Sequence, residues 1–386
     1  MLLFNPWHDL ALANFAPNYT PPASAMKMAE DLALLPVWYG DGDAVIAEGE
    51  VNRSFLDSVK SLLPITAEMI PSQEIALRQG EQITPWGWNP MLRKKMMSLG
   101  AGEHQIPLME ELGLLKEYAN RKNAVRLLQE LKEEEKNFCG ESHYFIRLDE
   151  LLEFLQSTPG DKVLKMPVSG SGKGLVWILG GITDKQTDWC RRVIHEQGGV
   201  VAEPVLRKVK DFAMEFYLQK GKVQFAGYSL FRSAASGAYA GNELLSDRKI
   251  VERLAAYCPT GLLDGLRESL IQKLALYFTL YTGYAGVDMM VCETDGGYRI
   301  QPCVEINMRM NMGMVARIFH DRYMKPGAEG KFVVDYFKKP GSAKLFHGKM
   351  QRELPFEVAD GKIISGYQPL TPVTSDTRYM AYVQIC

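Results

Sequence analysis

The chain has 386 residues, of which 46% are hydrophobic and 23% charged, and its formal net charge is −2. The length predicts two or three domains with a large core, and the near-neutral charge gives no support to binding of nucleic acid or an anionic membrane. Six scattered cysteines without a CxxC pair favour reduced thiols in a cytoplasm. The longest uncharged apolar run, 274–287, is too short and too polar to span a bilayer, and the first residues lack the basic start of a signal peptide.

Strands and helices alternate over the first 113 residues. Short apolar strands are predicted at Met1–Phe4, Val37–Tyr39 and Ala44–Ala47, and helices at Met26–Leu35 and Asn52–Leu63. This alternation predicts an α/β domain with a parallel sheet. No G-x-G-x-x-G follows the first strand, so dinucleotide binding has no support.

Two segments of this region have more than one interpretation. His8 and Asp9 directly follow the first strand, where open α/β sheets bind ligands. We interpret them as turn or capping residues, with ligand binding as the alternative. The segment Thr84–Pro90 is aromatic and rich in turn formers, and it either lines a pocket or packs a domain junction.

A strand that carries Lys165 and a loop rich in glycine and serine dominate the middle region. The loop, Ser169–Gly174, can present backbone N–H groups and the Lys173 ammonium to phosphate oxygens. It does not match the P-loop pattern, because Gly174 rather than Ser or Thr follows the lysine. A mobile surface hairpin is therefore the alternative. A return strand, a helix and a closing strand follow, at Leu175–Leu179, Asp184–Glu196 and Val200–Leu206.

The next segments alternate between strand and helix. Residues 211–218 alternate in polarity, which places Asp211 and Glu215 on one strand face. A second strand over 224–231 ends at Arg232. The helix predicted over Leu262–Tyr281 has a leucine stripe that we assign to the core rather than to a ligand site.

A β-hairpin over 286–307 carries the strongest chemical signal, because carboxylates lie inside its apolar strands. Buried carboxylates such as Asp288 and Glu305 are costly unless they are paired or bound to a metal. Alternation places Glu305 and Asn307 on one face, and Arg309 follows on the same face. Two carboxylates and an amide oxygen form a hard-oxygen site suited to Mg²⁺. The alternative is a solvated strand face.

The last 56 residues are predicted to form a small antiparallel extension without chemistry of its own. Its short strands are predicted at Lys344–His347, Phe356–Val358, Lys362–Ile364 and Tyr379–Ile385.

The order of these motifs over about Leu114–Arg317 resembles the ATP-grasp enzymes. The hairpin pattern G-V-D…D-G-G…V-E-I-N-x-R is similar to the metal-binding segment of that family, and the loop around Ser169 to its phosphate-covering hairpin. Two features depart from the family pattern, namely Pro302 inside the return strand and the lack of a proline after Asn307. The proline argues for an edge strand or a bulge.

The resemblance implies an α/β fold of the α+β ATP-grasp type. An N-terminal α/β pre-ATP-grasp-like domain with a parallel sheet would be followed by two ATP-grasp subdomains with mostly antiparallel sheets and by a C-terminal antiparallel β extension. The corresponding boundaries are 1–113, 114–206, 207–330 and 331–386.

The resemblance also implies roles for individual residues. The metal ligands for Mg²⁺ or Mn²⁺, as two ions, would be Asp288, Glu305 and Asn307. Arg232 would contact the transferred phosphate, and Arg309 would orient the acyl phosphate or the acceptor. The ATP-binding residues would be Lys122, Lys165, Ser169, Gly170, Ser171, Gly172 and Lys173 at the phosphates, Glu203, Pro204, Val205 and Leu206 at the adenine, and Asp211 at the ribose.

The activity implied is that of an ATP-dependent, ADP-forming ligase that joins a carboxylate to an amine, or a similar nucleophile, through an acyl phosphate. Its partners would be these small molecules, without nucleic acid or membrane, and a homodimer is compatible with this assignment. A small-molecule kinase on the same scaffold and a non-catalytic ATP-sensing module are the alternatives. The resemblance does not identify the substrates, because members of one fold family act on different molecules.

Overall fold

The computed structural model describes residues 1–170, 174–233 and 239–386, so Ser171, Gly172 and Lys173 of the predicted phosphate loop lie outside the described residues. The chain forms two compact units. Unit 1 contains Met1–Gly113, Ala240–Asp247 and Met310–Cys386, and unit 2 contains Leu114–Tyr239 and Arg248–Arg309. The finer four-part division predicted from the sequence remains a proposal.

Helices and strands alternate along most of the chain. The α-helices are α1 (His8–Asn14), α2 (Ala23–Asp31), α3 (Glu50–Lys60), α4 (Pro90–Ser98), α5 (Met109–Tyr118), α6 (Lys122–Glu134), α7 (Leu148–Ser157), α8 (Asp184–Gln197), α9 (Asp247–Leu254), α10 (Thr260–Tyr277), α11 (Met312–Tyr323) and α12 (Ser342–Glu353). The strands are β1 (Leu2–Leu3), β2 (Ala44–Ile46), β3 (Glu68–Ile70), β4 (Thr84–Pro85), β5 (His143–Phe145), β6 (Lys162–Lys165), β7 (Leu175–Ile178), β8 (Val200–Pro204), β9 (Arg207–Gln219), β10 (Lys222–Ser233), β11 (Tyr239–Leu244), β12 (Thr282–Thr294), β13 (Gly297–Asn307), β14 (Gly330–Tyr336), β15 (Glu357–Ala359), β16 (Lys362–Pro369) and β17 (Tyr379–Ile385).

The N-terminal sheet of unit 1 is parallel, with the order β3-β2-β1-β4, as predicted. One strand prediction in this region is wrong, because Val37 and Trp38 belong to a 3₁₀ helix, Leu35–Trp38. Pro36 explains the difference, since its fixed φ suits a helical turn and it has no N–H for a sheet. The segment is fully buried, and a short buried apolar run has no periodicity that separates strand from helix.

The second sheet of unit 1 is antiparallel, with the order β11-β14-β17-β16-β15. The strand predicted at Lys344–His347 is wrong, because these residues lie inside α12. Ala343, Phe346 and Met350 recur at helical spacing and pack on the sheet beside Tyr367. Helical packing therefore decides the structure of this segment.

Unit 2 contains a small antiparallel sheet with the order β5-β8-β6-β7. Its core is formed by buried residues of the sheet and of the helices α7 and α8, namely Leu151, Leu164, Ile178, Cys190, Val193, Val200 and Ala202. The Lys165 strand and the Val200–Pro204 strand are direct neighbours in this sheet.

The larger sheet of unit 2 is antiparallel, with β13-β12-β9-β10 as its order within the unit. One face carries the buried apolar residues Phe212, Met214 and Phe216, while Ala213 and Glu215 belong to the other face by alternation. The leucine stripe of α10 is buried, as predicted. Pro302 lies in the edge strand β13, beside a register shift, which agrees with the expected edge or bulge. In the described part of the chain, no helix combines the length and apolarity that a membrane crossing requires.

Candidate functional site

Three predicted metal ligands meet on one face of the larger sheet of unit 2. Asp288 on β12 and Glu305 on β13 are direct cross-strand partners, so their side chains leave the same face. Asn307 lies two residues further along β13 and therefore on that face. Its Nδ2 donates to Asp288 Oδ2 at 3.0 Å. The structure thus brings these three oxygen-bearing side chains together.

Negative charge is concentrated around Asp288. Burial raises the pKa of its carboxyl well above the usual range, and the charges of Glu305 and Glu215 raise this pKa further. The hydrogen bond from Asn307 and the charge of Arg309 oppose the shift. A group of carboxylates in this environment favours a bound cation.

Glu215 shares a strand face with Asp211, but the resemblance implies a role, at the ribose, for Asp211 alone. The structure buries Glu215, with 2% of its surface exposed, and pairs it in register with Gly286 of β12. The polar alternation of β9 was the signal that could have identified it, because Glu215 shares a face with Ala213, the register partner of Asp288.

Arg309 lies beside the three oxygen ligands. Its Nη2 donates to Asn307 Oδ1 at 3.2 Å, while the Nδ2 of the same amide donates to Asp288. The structure therefore places Arg309 next to the predicted metal residues, where its guanidinium can attract an anion.

Arg121 is a member of the site that sequence reasoning missed. Its guanidinium is buried and donates from Nη2 to Glu305 Oε1 at 2.5 Å. Its Nη1 donates to Ser169 Oγ at 2.8 Å and to the Met166 carbonyl at 2.6 Å. One side chain thus connects the hairpin carboxylate to the start of the Gly/Ser-rich loop.

The structure does not bring Lys122 to this group. Its ammonium pairs with Glu117, and both side chains are about half exposed or more. The phase of helix α6 was a signal in the sequence, because Arg121 shares the spacing of the buried residues Ala124, Leu128 and Leu131, whereas Lys122 does not.

Lys165 and Glu203 form a buried ion pair across β6 and β8. The Lys165 Nζ lies 2.7 Å from Glu203 Oε2, and Ser142 Oγ donates to Glu203 Oε1 at 2.9 Å. Cys303 of β13 lies within electrostatic reach of this pair and of Asp288. Burial raises the pKa of the Cys303 thiol, the charges of Glu203 and Asp288 raise it further, and Lys165 lowers it.

The remaining predicted nucleotide residues are more dispersed. Pro204 is the last residue of β8, and Val205 and Leu206 follow it. The Val205 N–H donates to the Asp161 carbonyl at 3.0 Å. Asp211 belongs to a separate cluster, where its Oδ2 accepts from Lys208 Nζ at 2.7 Å and from Ser233 Oγ at 2.5 Å.

Two further predicted residues border the segments outside the described residues. Arg232 is exposed near the end of β10. Desolvation raises the pKa of Tyr239 well above its ordinary value, the charge of Glu215 raises it further, and the positive charge of Arg232 lowers it. Both charges therefore act near Tyr239. Gly170 directly follows Ser169, the loop residue that Arg121 contacts. It precedes Ser171, Gly172 and Lys173, which lie outside the described residues.

The donor set determines which ion the site can hold. Among residues 1–170, 174–233 and 239–386, no cluster of three or more His, Cys, Asp and Glu side chains is arranged for a metal ion. The candidate site differs from such a cluster because an amide, Asn307, supplies the third oxygen. Oxygen-only ligands of this kind suit Mg²⁺ or Mn²⁺ rather than zinc or copper.

Known proteins resemble this chain in structure but not in sequence. No family model matches the sequence, and no curated protein shows significant sequence similarity. The biotin carboxylase–β,γ-ATP complex from Campylobacter jejuni is 12% identical, with 89% of this chain and 87% of that chain covered and a TM-score of 0.50. The N5-carboxyaminoimidazole synthetase from Staphylococcus aureus, complexed with ADP, is 11% identical, with coverages of 89% and 92% and a TM-score of 0.49.

The biotin carboxylase has the ATP-grasp fold. The biotin carboxylase similarity is structural, spans most of both chains, and agrees with the parallel N-terminal sheet and the antiparallel sheets described above. The chain therefore adopts the ATP-grasp fold that its sequence motifs predicted.

Proposed function

We propose that this chain is an ATP-dependent, ADP-forming ligase that joins a carboxylate to an amine, or a similar nucleophile, through an acyl phosphate. The observation that carries the proposal is the convergence of Asp288, Glu305 and Asn307 on one sheet face, with Arg121 bridging Glu305 to Ser169. A biotin carboxylase with the same fold forms a complex with β,γ-ATP, which supports nucleotide binding by this fold.

The oxygen ligands fit a divalent cation. Asp288 is partly buried beside the carboxylates Glu305 and Glu215, and a cation would relieve the repulsion among them. Asp288, Glu305 and Asn307 would hold Mg²⁺ or Mn²⁺, as two ions. When bound, the metal would neutralise phosphate charge and favour in-line phosphoryl transfer.

The cationic side chains would bind and orient the phosphates. Lys165, held by Glu203, and Arg309, held by Asn307, are already oriented by their partners. Such preorganised charges stabilise the charge that develops on the transferring phosphoryl group. Arg121 would position the start of the phosphate loop through Ser169. Arg232 would contact the transferred phosphate.

The nucleotide base and sugar would lie at the other predicted positions, with Glu203–Leu206 at the adenine and Asp211 at the ribose. Residues 169–173 would cover the phosphates. Lys122 has no part in this proposal, because its ammonium is paired with Glu117 on the surface.

The reaction then needs no protein nucleophile. An oxygen of the substrate carboxylate attacks the γ-phosphorus of ATP, and the bond to ADP breaks. The amine next attacks the acyl carbon, and inorganic phosphate leaves. Each step is a substitution that positioned charges can accelerate.

The test is product release by the purified protein with Mg²⁺-ATP and a pooled library of amino acids, dipeptides and small carboxylic acids. ADP and phosphate release that requires both a carboxylate and an amine would support the proposal. ADP release without free phosphate would overturn it in favour of a kinase, and AMP release would contradict an ADP-forming reaction.

A further inference from the structure

The segment that joins α6 to β5 lies against the edge strand β13 of unit 2. Phe138 forms a parallel bridge with Ile300, and the Cys139 N–H donates to the Ile300 carbonyl at 2.8 Å. The Lys132 Nζ donates to the Gly140 carbonyl at 2.6 Å, which connects the segment to its own helix. Cys139 is therefore held at a defined position on the sheet, although it lies outside the regular strands.

The residue that follows Cys139 must be small for this close approach. Gly140 has a φ of 94°, in the left-handed region that favours glycine, and a Cβ at this position would lie 2.7 Å from Gln301 Cγ. A larger residue would push the segment, and Cys139 with it, away from β13. The local sequence is thus suited to keeping Cys139 at the sheet.

This position brings the Cys139 thiol to the thiol of Cys292 in β12. Cys292 is the cross-strand partner of Arg299, the residue before Ile300 in β13. The two thiols are hydrogen-bonded to each other, and both residues belong to unit 2. A disulfide has a sulfur–sulfur distance of about 2.05 Å, so a small movement of the side chains would join them. No short spacing marks this pair in the sequence, because the fold creates it.

The two thiols differ in their access to solvent. Cys139 is partly exposed, whereas Cys292 has 1% of its surface exposed. A dissolved oxidant therefore reaches Cys139 first, and Cys292 reacts only through its neighbour.

Electrostatics assign the same order to the two thiols. The hydrogen bond from Cys292 lowers the pKa of the Cys139 thiol against the effect of burial, and the charges of Arg299 and Lys132 lower it further. The same hydrogen bond raises the pKa of the Cys292 thiol, and burial adds to that increase. Because the thiolate is the nucleophilic form, Cys139 is the thiol that attacks an oxidant.

We propose that Cys139 and Cys292 form a redox modification site, at which a hydroperoxide oxidises Cys139 and Cys292 then closes an intramolecular disulfide. An accessible thiol with a second thiol beside it is the arrangement that redox-sensing cysteines use. The inference does not depend on the proposed function, because the reaction requires neither ATP nor a ligase substrate.

The reaction has two steps. The Cys139 thiolate attacks the terminal oxygen of the hydroperoxide, the O–O bond breaks, and the leaving oxygen takes a proton from water to give an alcohol, or water from hydrogen peroxide itself. Cys139 is then a sulfenic acid. The Cys292 sulfur attacks the Cys139 sulfur, the S–O bond breaks, and hydroxide leaves with the Cys292 proton as water. The two thiols together lose two electrons, which reduce the hydroperoxide.

The test treats the reduced, full-length protein with a slight excess of hydrogen peroxide, without nucleotide, and maps its disulfides by mass spectrometry of non-reduced peptides. We expect one predominant linked peptide pair, which joins Cys139 to Cys292, and the loss of two of the six free thiols. Dithiothreitol should restore both. The matched control is Cys386→Ser, which removes an exposed thiol and should form the same disulfide at an unchanged rate.

Two further variants separate the roles of the two thiols. In Cys292→Ser the reaction should stop at the sulfenic acid of Cys139, which dimedone traps as a stable adduct that does not accumulate in the wild type. In Cys139→Ser the buried Cys292 should remain a free thiol under the same treatment. A variant that fails to fold does not affect the conclusion, because the peptide map of the wild type decides alone whether the disulfide forms.

Three results would overturn the inference: Cys139 and Cys292 stay unlinked in the treated wild type, Cys139 is oxidised to the sulfinic acid while Cys292 stays free, or Cys139 links only to a cysteine of another molecule. Failure of this inference is distinguishable from failure of the proposed function. A disulfide that forms in a protein without ADP-forming activity leaves the redox site standing and removes the ligase. Ligase activity in a protein whose two thiols stay unlinked does the reverse.

Discussion

Arg121 and Glu305 are 184 positions apart in the chain, and their side chains meet at 2.5 Å. The same guanidinium donates to Ser169, so the carboxylate of the hairpin and the start of the Gly/Ser-rich loop share one donor. A buried guanidinium is costly without partners, and these two acceptors together with the Met166 carbonyl satisfy both of its terminal nitrogens. The positions of Ser169 and of the Glu305 carboxylate therefore depend on the same guanidinium.

Replacing Arg121 with methionine should destabilise unit 2 strongly. The variant keeps a long side chain but leaves Ser169 and the 26% exposed side chain of Glu305 without their donor, and each buried acceptor left unsatisfied costs about 1–3 kcal/mol. Lys122→Met is the matched control, because its exposed pair with Glu117 is worth less than about 1 kcal/mol. Urea unfolding measures both, and equal losses in the two variants would refute the assignment of Arg121.

The buried pair Lys165 and Glu203 should show strong coupling. Lys165→Met or Glu203→Gln alone leaves one charge without its partner, so each variant should lose about 3–5 kcal/mol of unfolding free energy. The double variant should recover a large part of that loss, because no unpaired charge remains. Additive losses in a double-mutant cycle would show that the two groups do not interact as described. The double variant should recover stability without recovering nucleotide-dependent activity, because Lys165 is still missing.

His347 should make the stability of unit 1 depend on pH. Burial lowers the pKa of its imidazole, whose Nδ1 lies 3.1 Å from the Tyr367 hydroxyl, below the ordinary value of 6.5. Below that value the unfolded chain binds a proton at His347 before the folded chain does, so stability is lost as the pH falls. We expect the urea midpoint to decrease less steeply with acid in His347→Gln than in the wild type. The exposed His195→Gln should behave as the wild type.

The hairpin of the candidate site could be predicted because its information is local. Alternation alone places Glu305 and Asn307 on one face of β13. The turn that joins β12 to β13 then brings Asp288 opposite Glu305. The pairing of Lys165 with Glu203 could not be predicted in the same way. It depends on β6 and β8 becoming neighbours, which no local pattern specifies.

Two local features of the sequence show its limits in another way. The resemblance matches Lys122 by residue type, and its phosphate-binding role stays a prediction, whereas the phase of α6 identifies the neighbouring Arg121 as the residue that faces inward. The wrong strand prediction at Lys344–His347 rests on four residues, a window too short to show a helical period. Over the longer window that includes Ala343 and Met350, the helical spacing is visible.

The central claim is that Asp288 helps to hold a metal ion for nucleotide binding, and calorimetric titration with ADP tests it most directly. In the wild type, Mg²⁺ should strengthen ADP binding at least about tenfold over binding in a chelator, or about 1.4 kcal/mol. Asp288→Asn should lose that difference while the protein stays at least as stable, because a partly buried carboxylate is removed from a group of like charges. The exposed Asp295→Asn on the same hairpin should keep it. ADP binding that is independent of Mg²⁺ in the wild type, or an undiminished Mg²⁺ effect in Asp288→Asn, would contradict the claim.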